Sequence, residues 1–154
     1  FRSEQLDLVQ RVPDSVPENQ LDRLVRRQVF AAVPAPRPSA WPAWDEEPES
    51  SAAQVRAYLD VNCAMCHQPE GTGNSRIDLR FTTPLEASGM VDVAPGQGDL
   101  GVRGAKLLVP GSPRRSLLLI RMQRFGERGM PPLSHQLADD RAIERISRWI
   151  QSLK

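Results

Sequence analysis

The sequence predicts an all-α protein in which a small β-like hairpin or loop insertion interrupts the helices. Several segments repeat apolar side chains at the spacing of an amphipathic helix, and residues that favour helix starts precede some of them. Of the 154 residues, 40% are hydrophobic and 25% are charged, which is enough apolar material for one sizeable core. The 14 prolines and 10 glycines predict that long loops join the helices.

Residues 1–49 are interpreted as an N-terminal arm that is first helical and then proline-rich. The segments SEQLDLVQRV and PENQLDRLVRRQVF each have the pattern of an amphipathic helix. Their apolar residues are Leu6 and Val9 in the first helix, and Leu21, Leu24, Val25 and Phe30 in the second. Trp41 and Trp44 follow, and because such rings usually bind an apolar surface, we expect the arm to pack on residues 50–154. The alternative is a semi-rigid tether to an upstream domain.

A further helix is predicted to lead directly into the only two cysteines of the chain. Ser50 or Ser51 can cap this helix at its start. Its inward-facing residues are predicted to be Val55, Tyr58 and Leu59. Beyond it, the stretch NCAMCHQPEG holds both cysteines and one of the two histidines within five consecutive positions.

The motif Cys63-Ala64-Met65-Cys66-His67 is open to four interpretations. A redox disulfide belongs at a strand-to-helix turn in a βαβ setting, which the sequence does not provide. A structural zinc site needs about four nitrogen or sulfur ligands, and beyond the motif only His135 remains. The third interpretation is two buried free cysteines that fall together by chance. The fourth is the covalent attachment of a haem.

Covalent haem attachment explains all three side chains of the motif together. Two cysteine sulfurs one helical turn apart can both add to the vinyl groups of one porphyrin, and the histidine that follows then lies beneath the iron. We therefore predict one covalent haem c, with Cys63 and Cys66 as thioether anchors and His67 as the proximal iron ligand.

The sixth iron ligand is predicted to be Met130. It stands in FGERGMPPLSH, where glycines end a helix and two prolines stiffen the backbone, so that a loop can hold the thioether out. A thioether suits haem iron and raises its reduction potential. Met122 is expected to fill the core, and Met90 to be an exposed or half-buried loop residue. His135 is the reserve ligand.

Three more elements are predicted after the haem motif. Within residues 84–110, the runs MVDVAP and AKLLVP predict a small hairpin or an ordered loop. Ser112 can cap and Pro113 can start a helix through SLLLIRMQRF. Asp139 or Asp140 can cap a last helix. Its apolar residues are Ile143, Ile146, Trp149, Ile150 and Leu153.

Residues 50–154 resemble class I c-type cytochromes. The likeness rests on YLDVNCAMCH, on GMPPL further along the chain, and on a last amphipathic helix. It implies a cytochrome c-like helical fold around one haem, axial ligation by His67 and Met130, and a last helix that crosses the first. Val55 replaces a glycine that the family usually has at this crossing. A proline carbonyl usually fixes the histidine ring in the family, and the sequence does not choose between Pro69 and Pro84.

A longer pattern is similar to the cytochrome region at the end of large modular bacterial proteins, some with sugar-dehydrogenase or carbohydrate-binding modules. It consists of QLDRLVRRQVF, VRAYLDVNCAMCHQPEGTG, DLRFTTPL, LVPGSPRRSLLLIRMQR and MPPL. The likeness implies a redox partner such as a quinoprotein sugar dehydrogenase or a copper oxygenase. Because haem c is attached outside the cytoplasm, a periplasmic or extracellular location in a bacterium is expected. The chain begins at Phe1 without a leader, so an export signal is expected to lie outside it.

The predicted function is electron transfer by a monomer, with no enzymatic activity of its own. The sequence has no nucleophile–histidine pair outside the haem motif and no phosphate-binding glycine pattern. Its net charge of +1 does not indicate a nucleic-acid-binding surface, and no apolar run is long enough to span a membrane. The alternative function is a haem-based sensor or gas-binding module, in which the sixth ligand is absent or displaceable.

Several arginines of the Arg-rich back half of the chain lie close to the Met130 loop in the sequence. They are Arg114, Arg115, Arg121, Arg124 and Arg128. If these cations ring the haem edge, they can steer an acidic partner to it. They can equally form a solvated helix face.

Overall fold

The computed structural model describes residues 9–10, 18–33, 35, 40–42, 44, 52–132 and 137–154. Contacts divide the chain into two compact units, Phe1–Pro42 and Ala43–Lys154. Helices dominate the regular structure of the described residues, which is consistent with the predicted all-α class. The packing of the whole N-terminal arm on residues 50–154 stays a prediction.

In the N-terminal unit, a two-residue antiparallel strand pair comes before a short helix. Strand β1 (Val9–Gln10) pairs with β2 (Glu18–Asn19), and helix α1 (Gln20–Arg26) follows. The prediction of a helix over SEQLDLVQRV is therefore wrong at Val9 and Gln10. The backbone of these two residues pairs with Glu18–Asn19 instead of forming helical hydrogen bonds. The second predicted helix is confirmed in part, since α1 begins where Asn19 Oδ1 accepts a hydrogen bond from the Leu21 amide at 2.9 Å.

Helix α1 is shorter than predicted because a left-handed residue ends it. Gln28 has a φ of 58°, its amide donates to the Val25 carbonyl, and the Val29 amide donates to the Leu24 carbonyl. These two hydrogen bonds form a Schellman motif, which satisfies the last carbonyls and turns the chain away. Phe30, predicted to belong to the apolar face, consequently lies beyond the helix and is 37% exposed.

The second unit is built on three helices that share one core. Helix α2 (Ala52–Asn62) and helix α3 (Leu117–Met122) both pack on helix α4 (Asp140–Ser152). Fully or nearly fully buried residues of this core include Val55, Leu59, Leu119, Ile146, Trp149 and Ile150. The predicted inward stripe of α2 is thus confirmed, and the helix continues to the residue before Cys63. The caps expected at Ser50 and Ser51 lie outside the described residues.

Helix α4 and its cap are as predicted. Asp139 Oδ1 accepts a hydrogen bond from the Ala142 amide at 2.9 Å and so satisfies a free donor at the helix start. Asp140 in the first turn adds a favourable charge for the helix dipole. This strong local signal explains why the start of α4 could be predicted from the sequence.

Trp44 packs on the helical core, as expected of its large ring. Its ring centroid lies 5.0 Å from that of Tyr58 on α2, and the Arg145 guanidinium of α4 lies 4.7 Å above it. Arg145 also donates a hydrogen bond to the Trp44 carbonyl. Trp44 therefore joins α2 to α4 at the side where Tyr58 donates to Asp139 at 3.3 Å.

Residues 90–109 form an ordered loop, and the hairpin alternative is not observed among them. Val91 and Leu108 make an isolated parallel bridge, with Asp92 donating to Leu108 at 2.8 Å. A second parallel bridge joins Lys106 to Ser116. The first bridge therefore joins the two ends of the ordered loop to each other, and the second joins the loop to the chain that leads into α3.

The helix predicted from Ser112 and Pro113 begins later than expected. Pro113–Arg115 form a single 3-10 turn, and α3 starts only after Ser116. The cause is long-range, because the amides of Leu117 and Leu118 donate to the carbonyls of residues 106 and 107 at 2.9 and 3.0 Å. Those bonds hold Ser116 in an extended conformation, with φ −93° and ψ 108°.

Polar side chains of α2 hold the loop of residues 78–83. Arg56 Nη2 donates to the carbonyls of Arg80 and Thr83, and Asp60 Oδ1 accepts from the Phe81 amide at 3.0 Å. Asp78 closes the same loop by accepting from Arg80 Nη2 at 2.6 Å and from Thr83 Oγ1 at 2.7 Å. The helix that precedes the cysteines thus also fixes a loop that follows them.

None of the described helices has the length and apolar composition needed to cross a membrane.

Replacing Asp78 with asparagine is predicted to lower the free energy of unfolding near neutral pH by on the order of 1 kcal/mol. Hydrogen bonds from Arg80, and secondarily from Thr83, lower the pKa of Asp78 to about 2 from its ordinary 3.8. A lowered folded-state pKa stabilises the protein above pH 3.8, and this contribution disappears as the pH falls through about 2.

Denaturant unfolding of the wild type and of Asp78→Asn at neutral and acidic pH measures this effect. The difference between the two proteins should shrink on acidification, while Asp92→Asn, a change at an exposed carboxylate, should show no such trend. A difference for Asp78→Asn that stays constant with pH would contradict the assignment.

Candidate functional site

The CAMCH motif forms a compact turn that continues from α2. The amides of Cys66 and His67 both donate to the Cys63 carbonyl, at 3.1 and 2.9 Å. Cys63 itself is still tied to the helix, because its amide donates to the Leu59 carbonyl at 2.9 Å. The turn therefore holds both cysteines and the histidine on one short, hydrogen-bonded segment, as the spacing predicts.

The two cysteines are half-buried and are not joined by a disulfide. Burial, and secondarily the neighbouring Cys66, raises the pKa of the Cys63 thiol to about 12. Cys63 also packs against the hydrophobic core. A site that opposes the thiolate suits a neutral thiol or a thioether, and it is the reverse of the low-pKa thiol used in disulfide exchange.

The His67 ring is held through one of its two nitrogens. Nδ1 lies 2.9 Å from Ser75 Oγ, and no described residue makes a hydrogen bond to Nε2. Burial lowers the pKa of the His67 imidazole, which favours the neutral ring. A neutral imidazole with one nitrogen engaged and the other available is the form in which histidine binds a metal.

Two glycines let the following loop close over this ring. The Gly73 amide donates to the Cys66 carbonyl at 2.9 Å, and a Cβ on Gly73 would lie 2.7 Å from His67 Nδ1. The Gly71 amide donates to the Gln68 carbonyl, also at 2.9 Å. The loop thus approaches the ring more closely than a residue with a side chain would permit.

Exposure alternates along the closing loop, residues 71–77. Residues 71, 73, 75 and 77 are partly buried, whereas residues 72, 74 and 76 are exposed. The loop ends where the Leu79 amide donates to the His67 carbonyl at 2.9 Å, and Leu79 is buried in the core. Both the ring and the backbone of His67 are consequently held by the segment that follows it.

The three methionines that follow the CAMCH motif fall into two groups by burial. Met122 is 9% exposed and fills the core as predicted, and Met90 is only 1% exposed, so the expectation that it is an exposed or half-buried loop residue is wrong. Met90 is buried because its carbonyl accepts from Leu108 across the ordered loop, which draws its side chain into the core. Met130 is half-buried and lies outside the core cluster.

The Met130 loop is anchored to α3 through Arg121. The Met130 amide donates to the Arg121 carbonyl at 2.9 Å, and the Arg121 guanidinium donates to the carbonyls of Gln97 and Arg128. No described hydrogen bond links this loop to the segment that holds His67. The Met130 side chain is half-buried, and the described hydrogen bonds do not join it to His67. His135, the reserve ligand, lies outside the described residues.

The arginines that precede Met130 do not all belong to a free surface. Burial, and secondarily the charges of Arg128 and Arg124, lowers the pKa of Arg121, whose guanidinium is used to hold backbone carbonyls. Arg124 and Arg128 are exposed. Arg121 thus has a structural role that its place in the sequence did not reveal.

Two of the alternative interpretations of the motif gain no support from the described residues. No group of three or more histidine, cysteine, aspartate or glutamate side chains within them could hold a metal ion, as a protein-only zinc site would require. Cys63 follows a helix and not a strand, unlike a redox disulfide in a βαβ unit.

Comparisons with known proteins leave the resemblance to cytochromes without independent support. The sequence matches no protein-family model, and no curated protein or solved structure is significantly similar to it.

Replacing Gly73 with alanine is predicted to lower the free energy of unfolding by about 1–3 kcal/mol. The new Cβ would lie 2.7 Å from His67 Nδ1 and 2.8 Å from the Cys66 carbonyl oxygen, so the loop or the ring must move. Gly96→Ala is the matched control, because nothing lies within 4 Å of a Cβ at that position. Denaturant unfolding of both variants tests the packing, and equal stability of the two would contradict it.

Proposed function

We propose that the chain is an electron-transfer protein of the c-type cytochrome class, with one covalent haem c. The observation that carries the proposal is the His67 ring, which is fixed at Nδ1 by Ser75 and presents Nε2 without a described partner. Cys63 and Cys66 on the same turn supply the two sulfurs that thioether attachment needs. Domain boundaries of 1–49 for the arm and 50–154 for a cytochrome c-like fold belong to the same proposal.

The residues present fit a haem in their chemistry. A thioether carries no charge, so the environment that opposes a Cys63 thiolate accommodates it at little cost. The lowered pKa of His67 favours the neutral ring that can bind iron, and the absence of a side chain on Gly73 leaves room for that ring. When bound, the haem iron would supply a one-electron Fe(III)/Fe(II) couple.

Met130 is the proposed sixth ligand. Its side chain is half-buried outside the core, whereas Met90 and Met122 are committed to core packing. Hydrogen bonding of its amide to α3 holds the loop on a rigid element, as a ligand that must keep one position requires. Closure of both axial positions favours electron transfer over gas binding or catalysis.

The protein would relay electrons between a redox enzyme and its partner. A quinoprotein sugar dehydrogenase or a copper oxygenase is the proposed kind of partner, and a bacterial periplasm or the cell exterior is the proposed location. The residues of the chain would hold the iron ligands rigidly, so that the ligand positions would change little between Fe(III) and Fe(II). Exposed Arg124 and Arg128 beside the Met130 loop would favour an acidic partner surface.

Carbon monoxide binding to the reduced protein tests the proposed ligation. The wild type, produced with haem-attachment machinery, should keep its absorption spectrum when carbon monoxide is added, because His67 and Met130 would both be bound to the iron. Met130→Leu should bind carbon monoxide rapidly, since leucine has no donor atom.

Met122→Leu is the matched control from the same stretch of chain. It should leave the sixth position closed and change the free energy of unfolding by about 1 kcal/mol or less, because the swap conserves core volume. Rapid formation of a carbon monoxide adduct in the wild type would contradict the relay and favour a haem-based sensor or gas-binding module.

A further inference from the structure

We propose that Ser75 is a positioning residue that fixes the His67 ring and lowers the reduction potential of the haem iron. The inference rests on the proposed function and assigns to this chain a hydroxyl where related cytochromes use a proline carbonyl. Neither Pro69 nor Pro84 makes a described hydrogen bond to the ring, whereas Ser75 Oγ lies 2.9 Å from Nδ1.

The geometry of the closing loop places Ser75 at the ring. The residues on either side of Ser75 are exposed, as is Thr72, so its side chain alone among these four is directed inward to a polar partner. Gly73 lies against the ring and offers no side-chain acceptor. The amide of Leu79 donates to the backbone carbonyl of His67 and not to the ring.

The proposed binding of His67 to iron determines which atom donates in the hydrogen bond between His67 and Ser75. With Nε2 committed to iron, the neutral imidazole carries its proton on Nδ1, so Nδ1 donates and Ser75 Oγ accepts. Donation from Nδ1 makes the imidazole a more basic ligand, which stabilises Fe(III) relative to Fe(II). A neutral hydroxyl accepts more weakly than a carboxylate, so the effect on the potential should be moderate.

The reduction potentials of the wild type, Ser75→Ala and Ser75→Thr measure the proposed role. Loss of the acceptor in Ser75→Ala should favour reduction about threefold, because only the part of one hydrogen bond's net value that differs between Fe(III) and Fe(II) shifts the equilibrium. At about 59 mV per factor of ten for one electron, this is a rise of about 30 mV. Ser75→Thr keeps the hydroxyl and should restore the wild-type potential.

A second readout reports the contact directly. In the reduced protein, exchange of the His67 Nδ1 proton with solvent, followed by NMR, should be faster in Ser75→Ala than in the wild type or Ser75→Thr. Thr72→Val is the matched control, because it changes an exposed hydroxyl of the same loop and should alter neither quantity.

The outcomes separate this proposal from the one on which it rests. A wild type without covalent haem would overturn both. A haem-bearing wild type whose potential and proton exchange are unchanged in Ser75→Ala would overturn the role of Ser75 alone. Equal shifts in Ser75→Ala and Thr72→Val would also overturn it, since they would reflect general loosening of the loop.

Discussion

The closure of residues 71–79 over the CAMCH turn is the constraint on which the candidate site depends. One end of the closing segment is fixed by Gly73 on the Cys66 carbonyl, and the other by Leu79 on the His67 carbonyl, both at 2.9 Å. Between them Ser75 reaches the imidazole. Because these contacts hold the ring from within the chain, its orientation does not depend on a distant loop.

Helix α2 connects this closure to the core. Its last turn continues into Cys63, its buried face packs on α4, and its polar side chains Arg56 and Asp60 hold the loop that follows Leu79. Attachment point, ring support and core therefore share one helix. Because all three depend on α2, the helix can hold the ligand side chains in fixed relative positions. Independent loops would not hold them as precisely.

The sequence predicts those features that depend on local chemistry. Helix α4 was predictable because Asp139 caps it and its apolar residues follow one period, and the CAMCH spacing alone places three functional side chains on one turn. Ser75 was missed because a serine four residues beyond Gly71 carries no motif. In the sequence, small or apolar residues at 71, 73, 75 and 77 alternate with larger polar residues at 72, 74 and 76, and this period of two is the signal that suggests an inward-facing position at Ser75.

Features that depend on distant contacts could not be predicted. The delayed start of α3 results from hydrogen bonds to residues 106 and 107. Met90 is buried because its carbonyl accepts a hydrogen bond from the Leu108 amide. Val9 and Gln10 are extended instead of helical because their backbone groups form hydrogen bonds with a second strand, Glu18–Asn19. In each case a partner remote in sequence outweighed the local pattern.

The central claim is that the CAMCH turn attaches one haem, and the intact mass of the chain tests it most directly. Produced in a bacterium with haem-attachment machinery, the denatured protein should carry the mass of one haem and show no free thiol at Cys63 or Cys66. A chain of unmodified mass, with two titratable thiols or a disulfide, would contradict the account.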